Sequence, residues 1–419
     1  MNKFLKRMSA LALSSVLALH LALVLPSPAR ADVVGDWNAT AARVIVGKGA
    51  SGPIYLALVH AAIYDAVNSV DGRYTVFAVK PTSDPRGASK EAAAASAAYR
   101  VLLSVWPDQQ PVLDAALATS LAAIPDGPAK SKGVTIGAEV ASAWLAARAN
   151  DGREANVPYT FGTGPGVYQR TPPAFPNPVT PWVARMKPFT LTSPAQFRAY
   201  GPPDLTSERY TKDLETVKEL GSAKSTERTP EETEIGLFHT ENPTLFWSRN
   251  LRNLADSRRL GIDESARLYG LLFVTFGDGS IACFDSKYYY NFWRPVTAIQ
   301  AADTDNNPNT EADAAWLPLA VTPPHPEYPA AHGCAAGGIS EILRRYFGTR
   351  EITFTFTSTV AGTVPHTYYS TDDLVEEIKR ARVFGGMHFP TSVAHGVGMG
   401  KEVGTWVFSN YFKPVKESR

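Results

Sequence analysis

The chain has 419 residues, and its 41 basic and 40 acidic side chains give a formal net charge of +1 at pH 7. This balance argues against nucleic acid or an anionic membrane surface as the main partner, because both attract proteins with excess positive charge. Any anion that the protein binds must therefore be held by a few placed residues.

The N-terminus has the anatomy of a secretory signal peptide. Basic residues precede an apolar run over residues 11–25, and Ala29-Arg30-Ala31 then supplies a small-x-small cleavage site. A membrane anchor would need about 20 apolar residues. The sequence predicts a signal peptide over 1–31 and a secreted or periplasmic mature chain without a membrane span.

Alanine-rich helices fill the N-terminal part of the mature chain. Leu and Val recur at spacings of three and four, which is the helical pattern. The predicted helices cover 36–70 with a break near 47–53, then 89–105, 109–123 and 132–150. Small alanine faces let helices approach closely, so we predict an N-terminal helical bundle over 32–157.

A proline-rich stretch interrupts the helical pattern. Residues 158–203 contain eleven prolines and several glycines and aromatic residues. A long irregular segment of this kind is either a linker or a functional wall. Its aromatic residues, Trp182 among them, favour an ordered wrap over the surface, and we place this irregular segment at 158–205.

Helices resume in the C-terminal part, over 206–419. They are predicted at 206–222, 230–240, 244–259, 263–276, 372–386 and 391–412, and residues 352–360 alternate like a short strand. We therefore predict an all-α fold built from helical bundles, with the long irregular segment and at most a short strand pair.

A rigid loop organises the C-terminal part. In Pro323–Cys334, four prolines surround His325 and lead to His332. Proline fixes φ and lacks an N–H, so the run to Pro329 is neither helix nor central strand. We expect the loop to deliver His332 to the start of a helix, whose unpaired N–H groups and positive dipole end suit an anion.

Three cations join these histidines as candidate site residues. Lys287 and Arg294 are seven residues apart, about two helical turns, so both can face one way. Arg382 and His388 flank a Gly-Gly pair that permits close backbone approach. Cations that converge in a helical core need a counter-charge, which a tetrahedral oxyanion such as phosphate, sulfate or vanadate would supply.

Other readings of these residues stay open. The cations could instead pair with Asp278, Asp285 or Glu241. The two cysteines, Cys283 and Cys334, are either a disulfide or two small buried thiols. His366 and His395 are expected to be structural.

The three pieces resemble a known superfamily. Lys287-x6-Arg294-Pro295, Pro329–His332 and Arg382-x5-His388 are similar, in order and spacing, to the K-x6-R-P, P-S-G-H and S-R-x5-H blocks of the vanadium haloperoxidases and type 2 phosphatidic acid phosphatases. The flanking stretches 291–295 and 323–329 look like the vanadium haloperoxidase branch, and Val59–Asn68 looks like its exported bacterial members. The resemblance implies an almost all-helical fold of two bundles with the site in one of them.

The resemblance also implies a role for each matching residue. His388 would bind vanadium axially, or form a phosphohistidine in a phosphatase. Lys287, Arg294 and Arg382 would neutralise the equatorial oxygens. His332 would be the acid–base partner of the apical oxygen, and Lys287 would polarise the bound peroxide.

The sequence departs from the family pattern in the loop. Ala330 and Ala331 stand where the family has Ser and Gly. The missing serine removes one hydrogen bond to the anion, about 1.5–3 kcal/mol for a charged acceptor. Ala331 keeps its anion-binding N–H, but a left-handed backbone there would be strained. Ser392 replaces the aspartate of the phosphatase pattern, which counts against the soluble acid phosphatases.

Four residues are predicted around the anion site. By the resemblance, the acid that orients His332 falls near Glu241 or Asn242, and Asp278 lies in the same surroundings. His325 and Phe284 are the candidate halide neighbours, and a histidine at 325 favours bromide or iodide over chloride.

The sequence thus leaves three functions to compare. The first is an exported vanadate-dependent haloperoxidase that oxidises halide with hydrogen peroxide to hypohalous acid. The second is an acid phosphatase that cleaves a phosphate ester with phosphate in the same pocket, and the third is a non-catalytic oxyanion-binding protein. The implied cofactor is vanadate, and a homodimer stays open.

Overall fold

A computed structural model describes residues 32–415, so the predicted signal peptide over 1–31 lies outside the described residues. Within that part the chain forms thirteen α-helices and one two-stranded sheet. The helices are α1 Val33–Ile45, α2 Gly52–Asp71, α3 Lys90–Val105, α4 Gln110–Ala122, α5 Pro128–Ala147, α6 Glu208–Leu220, α7 Pro230–Phe238, α8 Pro243–Ser257, α9 Ile262–Tyr290, α10 Pro295–Gln300, α11 Ala331–Phe347, α12 Thr371–Phe384 and α13 Pro390–Asn410. The strands are β1 Phe354–Phe356 and β2 His366–Tyr368.

Small residues set the spacing of the N-terminal helices, as the alanine-rich pattern predicts. Helix α3 packs against α5, and α2 packs against both α3 and α9. A Cβ added at Gly137 of α5 would lie 2.3 Å from the Ala93 carbonyl oxygen of α3. This contact leaves no room for a side chain, so glycine is what allows the two helices to touch.

Helix α9 is longer than the sequence predicts. The predicted end at 276 is wrong, because the helix continues through Gly277 and Gly279 to Tyr290. A Cβ at Gly277 would lie 2.7 Å from the Ala57 side chain of α2. This glycine therefore permits close helix packing and does not end the helix, and the extension carries Lys287 into the molecule.

Helices α11 and α13 cross at a glycine-lined contact that positions the candidate site. A Cβ at Gly337 would lie 2.2 Å from the Val397 carbonyl oxygen, and one at Gly400 would lie 2.1 Å from the Cys334 carbonyl oxygen. His332 is in the first turn of α11, and His388 lies two residues before α13. The crossing therefore brings the starts of both helices together.

The proline-rich segment is ordered by hydrogen bonds to the C-terminal part. The backbone N–H of Tyr168 donates to the Asn291 carbonyl, and that of Val179 donates to Pro324 in the loop before α11. Further along, Asp278 of α9 accepts from the backbone N–H groups of Phe189 and Thr190, both at 2.7 Å. The proline-rich segment is therefore hydrogen-bonded both to α9 and to the separate proline-rich loop that precedes α11.

The sheet is a single antiparallel pair, β1 with β2, in which Phe356 lies opposite His366. The predicted strand near 352–360 is confirmed, and its partner brings His366 and Tyr368 against α12. The predicted fold class is confirmed, since the described residues are mostly helical with this one strand pair.

Two stretches reach the length and apolarity of a membrane span, whereas the sequence analysis expects none. They are 33–71 and 262–290, and 67% and 94% of their apolar windows are buried inside the fold. Core helices that are apolar on all sides pass the same test. The absence of a membrane span in the mature chain stays a prediction.

Candidate active site

A cavity of about 840 Å³ opens where the proline-rich loop, α7, α11 and α12 meet. Its wall carries four histidines and one arginine of the C-terminal part: His239, His325, His332, His388 and Arg382. The cavity therefore gathers most of the candidate site residues on one surface.

Backbone carbonyls of the proline-rich loop hold Lys287 directly behind this wall. The Lys287 Nζ donates to the carbonyl oxygens of Pro326, at 3.0 Å, and Glu327, at 2.9 Å. The ammonium is fully buried, and this burial lowers the pKa of Lys287 to about 8. The loop thus binds the cation through carbonyl dipoles and leaves its charge without a carboxylate partner.

Arg294 also lies behind the wall, but a helix does not bring it there. Helix α9 ends at Tyr290, and Asn291 takes a left-handed backbone with φ of 50°, so the predicted two-turn spacing from Lys287 is wrong. The chain instead leaves the helix at Asn291, and the Arg294 Nε donates to the His325 carbonyl at 2.9 Å. Burial lowers the pKa of Arg294 to about 10.

His388 is held by an acceptor on one ring nitrogen and a donor on the other. Its Nδ1 lies 2.8 Å from Glu327 Oε1, and its Nε2 lies 3.0 Å from Arg294 Nη1. A guanidinium can only donate, so Nε2 carries a lone pair and the ring proton is on Nδ1. Burial and the nearby cations hold the pKa of His388 well below its ordinary value, so the imidazole is neutral.

Glu327 is the functional residue that sequence reasoning missed. It is fully buried, and burial raises its pKa to about 7 despite Arg294 and Lys287 nearby. One carboxylate oxygen accepts from His388 Nδ1 and from the Phe389 backbone N–H, and the Ser392 side chain lies close to the same carboxylate. The sequence contained one signal for it: Glu327 is an acid within the proline-rich loop, and that loop was already expected to lie near the candidate cations.

Arg382 reaches the cavity wall from the last turn of α12. Its Nη1 donates to the His239 carbonyl at 3.1 Å, and its Nη2 lies 3.1 Å from the Met387 sulfur. Its Nε is buried without a hydrogen-bond partner. Burial, with Arg294 nearby, lowers the pKa of Arg382 to about 9. This guanidinium therefore has unused donors and an unbalanced charge.

His332 lies in the first turn of α11, as predicted. Ala330 occupies the N-cap position and gives no side-chain hydrogen bond. Ala331 is the first helical residue and its φ is not positive, so the strain expected there is absent. Burial and the charge of Arg382 keep the pKa of His332 well below its ordinary value. A neutral imidazole thus faces the cavity beside unpaired helix N–H groups.

The acids predicted to surround the site are engaged elsewhere. Glu241 lines the cavity, but Arg249 binds its two oxygens at 2.7 and 2.6 Å, so it does not orient His332 as predicted. Asp278 accepts from the backbone N–H groups of Phe189 and Thr190, and Asp285 forms a salt bridge with Arg198. None of these carboxylates neutralises Lys287, Arg294 or Arg382.

His325 and Phe284 share another part of the wall. Their ring centroids are 5.3 Å apart, and the His325 Nδ1 lies 3.1 Å from Arg294 Nη2. Burial and the charges of Lys287 and Arg294 hold the pKa of His325 far below its ordinary value. The two cysteines line the same cavity as free buried thiols.

The charges of the site fit a bound oxyanion. Within residues 32–415, no salt bridge joins Lys287, Arg294 or Arg382 to a carboxylate, and Glu327 is the acid that reaches the cluster. Buried cations without partners are strongly unfavourable. Among the same residues, no group of three or more His, Cys, Asp or Glu could hold a metal cation. An anion with a histidine ligand, such as vanadate, suits this donor set.

Comparisons with known proteins agree with this geometry. Residues 267–417 match the protein family described as the VCPO second helical-bundle domain. Vanadium chloroperoxidase from Curvularia inaequalis is 26% identical over 374 residues, covering 70% of this chain and 61% of the relative's length. The chain therefore spans less than two thirds of that relative.

Solved structures establish the likeness of the fold. A bacterial vanadium-dependent iodoperoxidase superposes with a TM-score of 0.73 at 22% identity, covering 93% of this chain and 98% of that one. The holo form of a bacterial vanadium-dependent chloroperoxidase gives 0.67 at 20% identity, covering 86% and 92%. The helical architecture is shared along most of the chain.

Proposed function

We propose that this chain, which carries the second helical-bundle domain of the vanadium haloperoxidases over residues 267–417, is a vanadate-dependent haloperoxidase. The observation that carries the proposal is the cluster of Lys287, Arg294 and Arg382, three buried cations without carboxylate partners, around the unprotonated Nε2 of His388. The reaction combines hydrogen peroxide, one halide ion and one proton into hypohalous acid and water.

Vanadate, when bound, supplies a Lewis acid that activates hydrogen peroxide without changing its own oxidation state. The chain provides the binding site. Arg382 offers unused N–H donors at the wall, and the N–H groups at the start of α11 add the positive end of the helix dipole. His388 would hold the vanadium through Nε2, and the hydrogen bond from Arg294 to that nitrogen would then be given up.

His388 is prepared for this role by its neighbours. The Glu327 carboxylate holds the proton on Nδ1, which fixes both the tautomer and the ring orientation. Carboxylate–histidine pairs of this kind raise the basicity of the coordinating nitrogen in other protein sites. In this proposal His332 exchanges a proton with peroxide, which its neutral ring on the same cavity wall supports.

Bromide and iodide are the proposed halides. The support is the neutral ring of His325 against Phe284 on the wall, where a large polarisable anion can lie beside the Arg294 charge. The fold likeness to a bacterial iodoperoxidase is compatible with this preference. Turnover with chloride that equals turnover with iodide would contradict it.

The test is halogenation by purified protein incubated with and without vanadate, using hydrogen peroxide and each halide. We expect vanadate-dependent turnover that His388→Ala abolishes together with vanadate binding. His60→Ala is the matched control, because His60 is also a buried histidine but bonds to Asn38 in the N-terminal bundle. Vanadate binding that is unchanged in His388→Ala refutes the ligand assignment.

A phosphatase is the second candidate, and Glu327 is the observation that favours it. The missing aspartate at position 392 counts against a phosphatase only if no other acid orients His388, and Glu327 does orient it. Hydrolysis of a phenyl phosphate, with no halogenation by the vanadate-loaded protein, would favour this candidate. Tight phosphate binding without turnover in either assay would indicate an oxyanion-binding protein.

Export of the mature chain is also proposed, from the basic, apolar and small-residue pattern of residues 1–31. N-terminal sequencing of the protein from the periplasm or medium is expected to begin near Asp32. An intact N-terminus on the active protein would contradict it.

A further inference from the structure

A chain of four titratable side chains leads from the protein surface to the cavity. The outer residue, Glu234 on α7, lies with its Oε2 2.8 Å from His366 Nε2. His366 Nδ1 lies 2.8 Å from Glu377 Oε1 on α12. The same carboxylate oxygen lies 2.8 Å from His239 Nε2. We call these four residues the relay.

Neighbouring groups fix the charge of the relay. Each ring nitrogen of His366 faces a carboxylate, and these two partners raise its pKa although burial opposes them. Glu377 stays ionised, because its pKa is lowered to about 2 by His239, His366 and Tyr368 against the effect of burial. The Tyr368 hydroxyl donates to the same oxygen at 2.5 Å. The two carboxylates thus favour the protonated form of His366.

The inner end of the relay lies in the candidate active site. His239 lines the cavity together with His332, and its carbonyl accepts from Arg382. Burial, opposed by Glu377, lowers the pKa of His239. Because Nε2 bonds to Glu377, Nδ1 is the nitrogen left for groups in the cavity.

We infer that Glu234, His366, Glu377 and His239 conduct protons from solvent to the cavity. The inference rests on the proposed function, whose reaction consumes one proton for each peroxide and halide. Two electrons pass from the halide to the peroxide, one peroxide oxygen leaves as water, and the relay supplies the proton. Each inward transfer moves a proton across one of the 2.8 Å hydrogen bonds, with Glu377 protonated only in passing. His239 releases a proton to the cavity from Nδ1 as Nε2 receives one, both imidazole rings then return to their starting tautomers, and solvent reprotonates Glu234.

The relay must be distinguished from a purely structural network. Ring stacking also holds His366, since Phe238 lies at a centroid distance of 3.9 Å. A structural role predicts lost stability with an unchanged pH profile. A proton path predicts lost turnover that a small diffusible acid restores, because such an acid enters the cavity without the relay.

The test uses His366→Gln and Glu234→Gln, which keep hydrogen-bonding groups but cannot carry a proton. Thr367→Val is the matched control, because Thr367 is exposed on the same strand and bonds to Thr355 across the sheet. In weak buffer above neutral pH we expect each relay variant to lose turnover by about tenfold or more. Added imidazole should restore it, and the control should match wild type. Variants that match the control at every pH overturn the inference, and so does a loss that imidazole leaves unchanged in a folded variant.

A second measurement needs neither vanadate nor turnover. The positive charge of His366 lowers the pKa of His239, so His366→Gln should move the His239 titration, followed by nitrogen NMR, to higher pH. An unmoved His239 titration overturns the coupling. If wild type fails to halogenate at all, the proposed function fails, whereas active wild type with unaffected relay variants refutes the relay alone.

Discussion

Replacing Arg382 by methionine tests whether the site is built around an anion. Arg382 is fully buried, has no carboxylate partner and keeps an unpaired Nε. Methionine fills a similar volume without charge. In anion-free buffer we therefore expect Arg382→Met to be more stable than wild type, although it removes two hydrogen-bond contacts.

The magnitude follows from the buried charge. The pKa of Arg382 falls from 12.5 to about 9, and each pKa unit corresponds to about 1.36 kcal/mol. Burial thus disfavours the ionised guanidinium by roughly 5 kcal/mol. Losing the contacts to the His239 carbonyl and the Met387 sulfur costs about 1 kcal/mol each. The expected gain in the free energy of unfolding is about 2–3 kcal/mol.

Arg148→Met is the matched control. Arg148 is also buried, but it pairs with buried Asp151 at 2.9 Å. Removing it leaves that carboxylate uncompensated, which should lower the free energy of unfolding by about 3–5 kcal/mol. The same substitution is therefore expected to act with opposite sign at the two sites.

Urea unfolding with and without phosphate is the assay. Phosphate at about 100 times its dissociation constant should stabilise wild type and Arg148→Met by about 2.7 kcal/mol, and should stabilise Arg382→Met much less. Two results would refute the reasoning: an Arg382→Met protein that is less stable than wild type without anion, or one that gains as much from phosphate as wild type does.

Three further predictions concern the surroundings of the site. Ala330→Ser should tighten phosphate binding about ten- to hundredfold by restoring one donor, and calorimetry showing equal affinity would contradict it. Glu327→Gln should strengthen phosphate binding, because a negative charge is lost, yet weaken vanadate binding about ten- to hundredfold, because the Nδ1 proton of His388 then meets a neutral amide oxygen in place of a carboxylate; changes of the same sign would contradict it. Because the pKa of Glu377 is lowered to about 2, its ionised form stabilises the fold above its ordinary pKa of 4.5, and this contribution of roughly 3 kcal/mol is lost as the pH falls through about 2. Urea unfolding at pH 2–5 should therefore show the advantage of wild type over Glu377→Gln disappearing toward low pH, and a constant difference would contradict it.

Local patterns predicted most of the helices because their causes are local. Apolar spacing and capping depend on neighbours within a few residues, so α3 and α12 begin within a residue of the predicted positions. The end of α9 was wrong because Gly277 serves a contact with α2, which is distant in sequence. The sequence does not show whether a given glycine ends its helix or lets a neighbouring helix pack closely against it.

The sequence predicted which cations and histidines belong to the candidate site, but not which residues form hydrogen bonds and salt bridges with them. Helical spacing suggested that Lys287 and Arg294 face one way, yet the helix ends before Arg294, and it is the carbonyls of the loop before α11 that bind both side chains. Glu241 was expected near His332 but pairs with Arg249. Which acid meets which base depends on packing between segments far apart in the chain, and sequence spacing carries no information on it.

By itself, the sequence determined the helical architecture, the rigid loop before His332 and the set of cations and histidines that could form an oxyanion site. Only the tertiary structure decided that Glu327 holds His388 and that His366 connects the cavity with the surface. The physical reason is that periodicity and proline geometry act along the chain, whereas burial, pKa and hydrogen-bond partners are set by whatever the fold packs against each side chain.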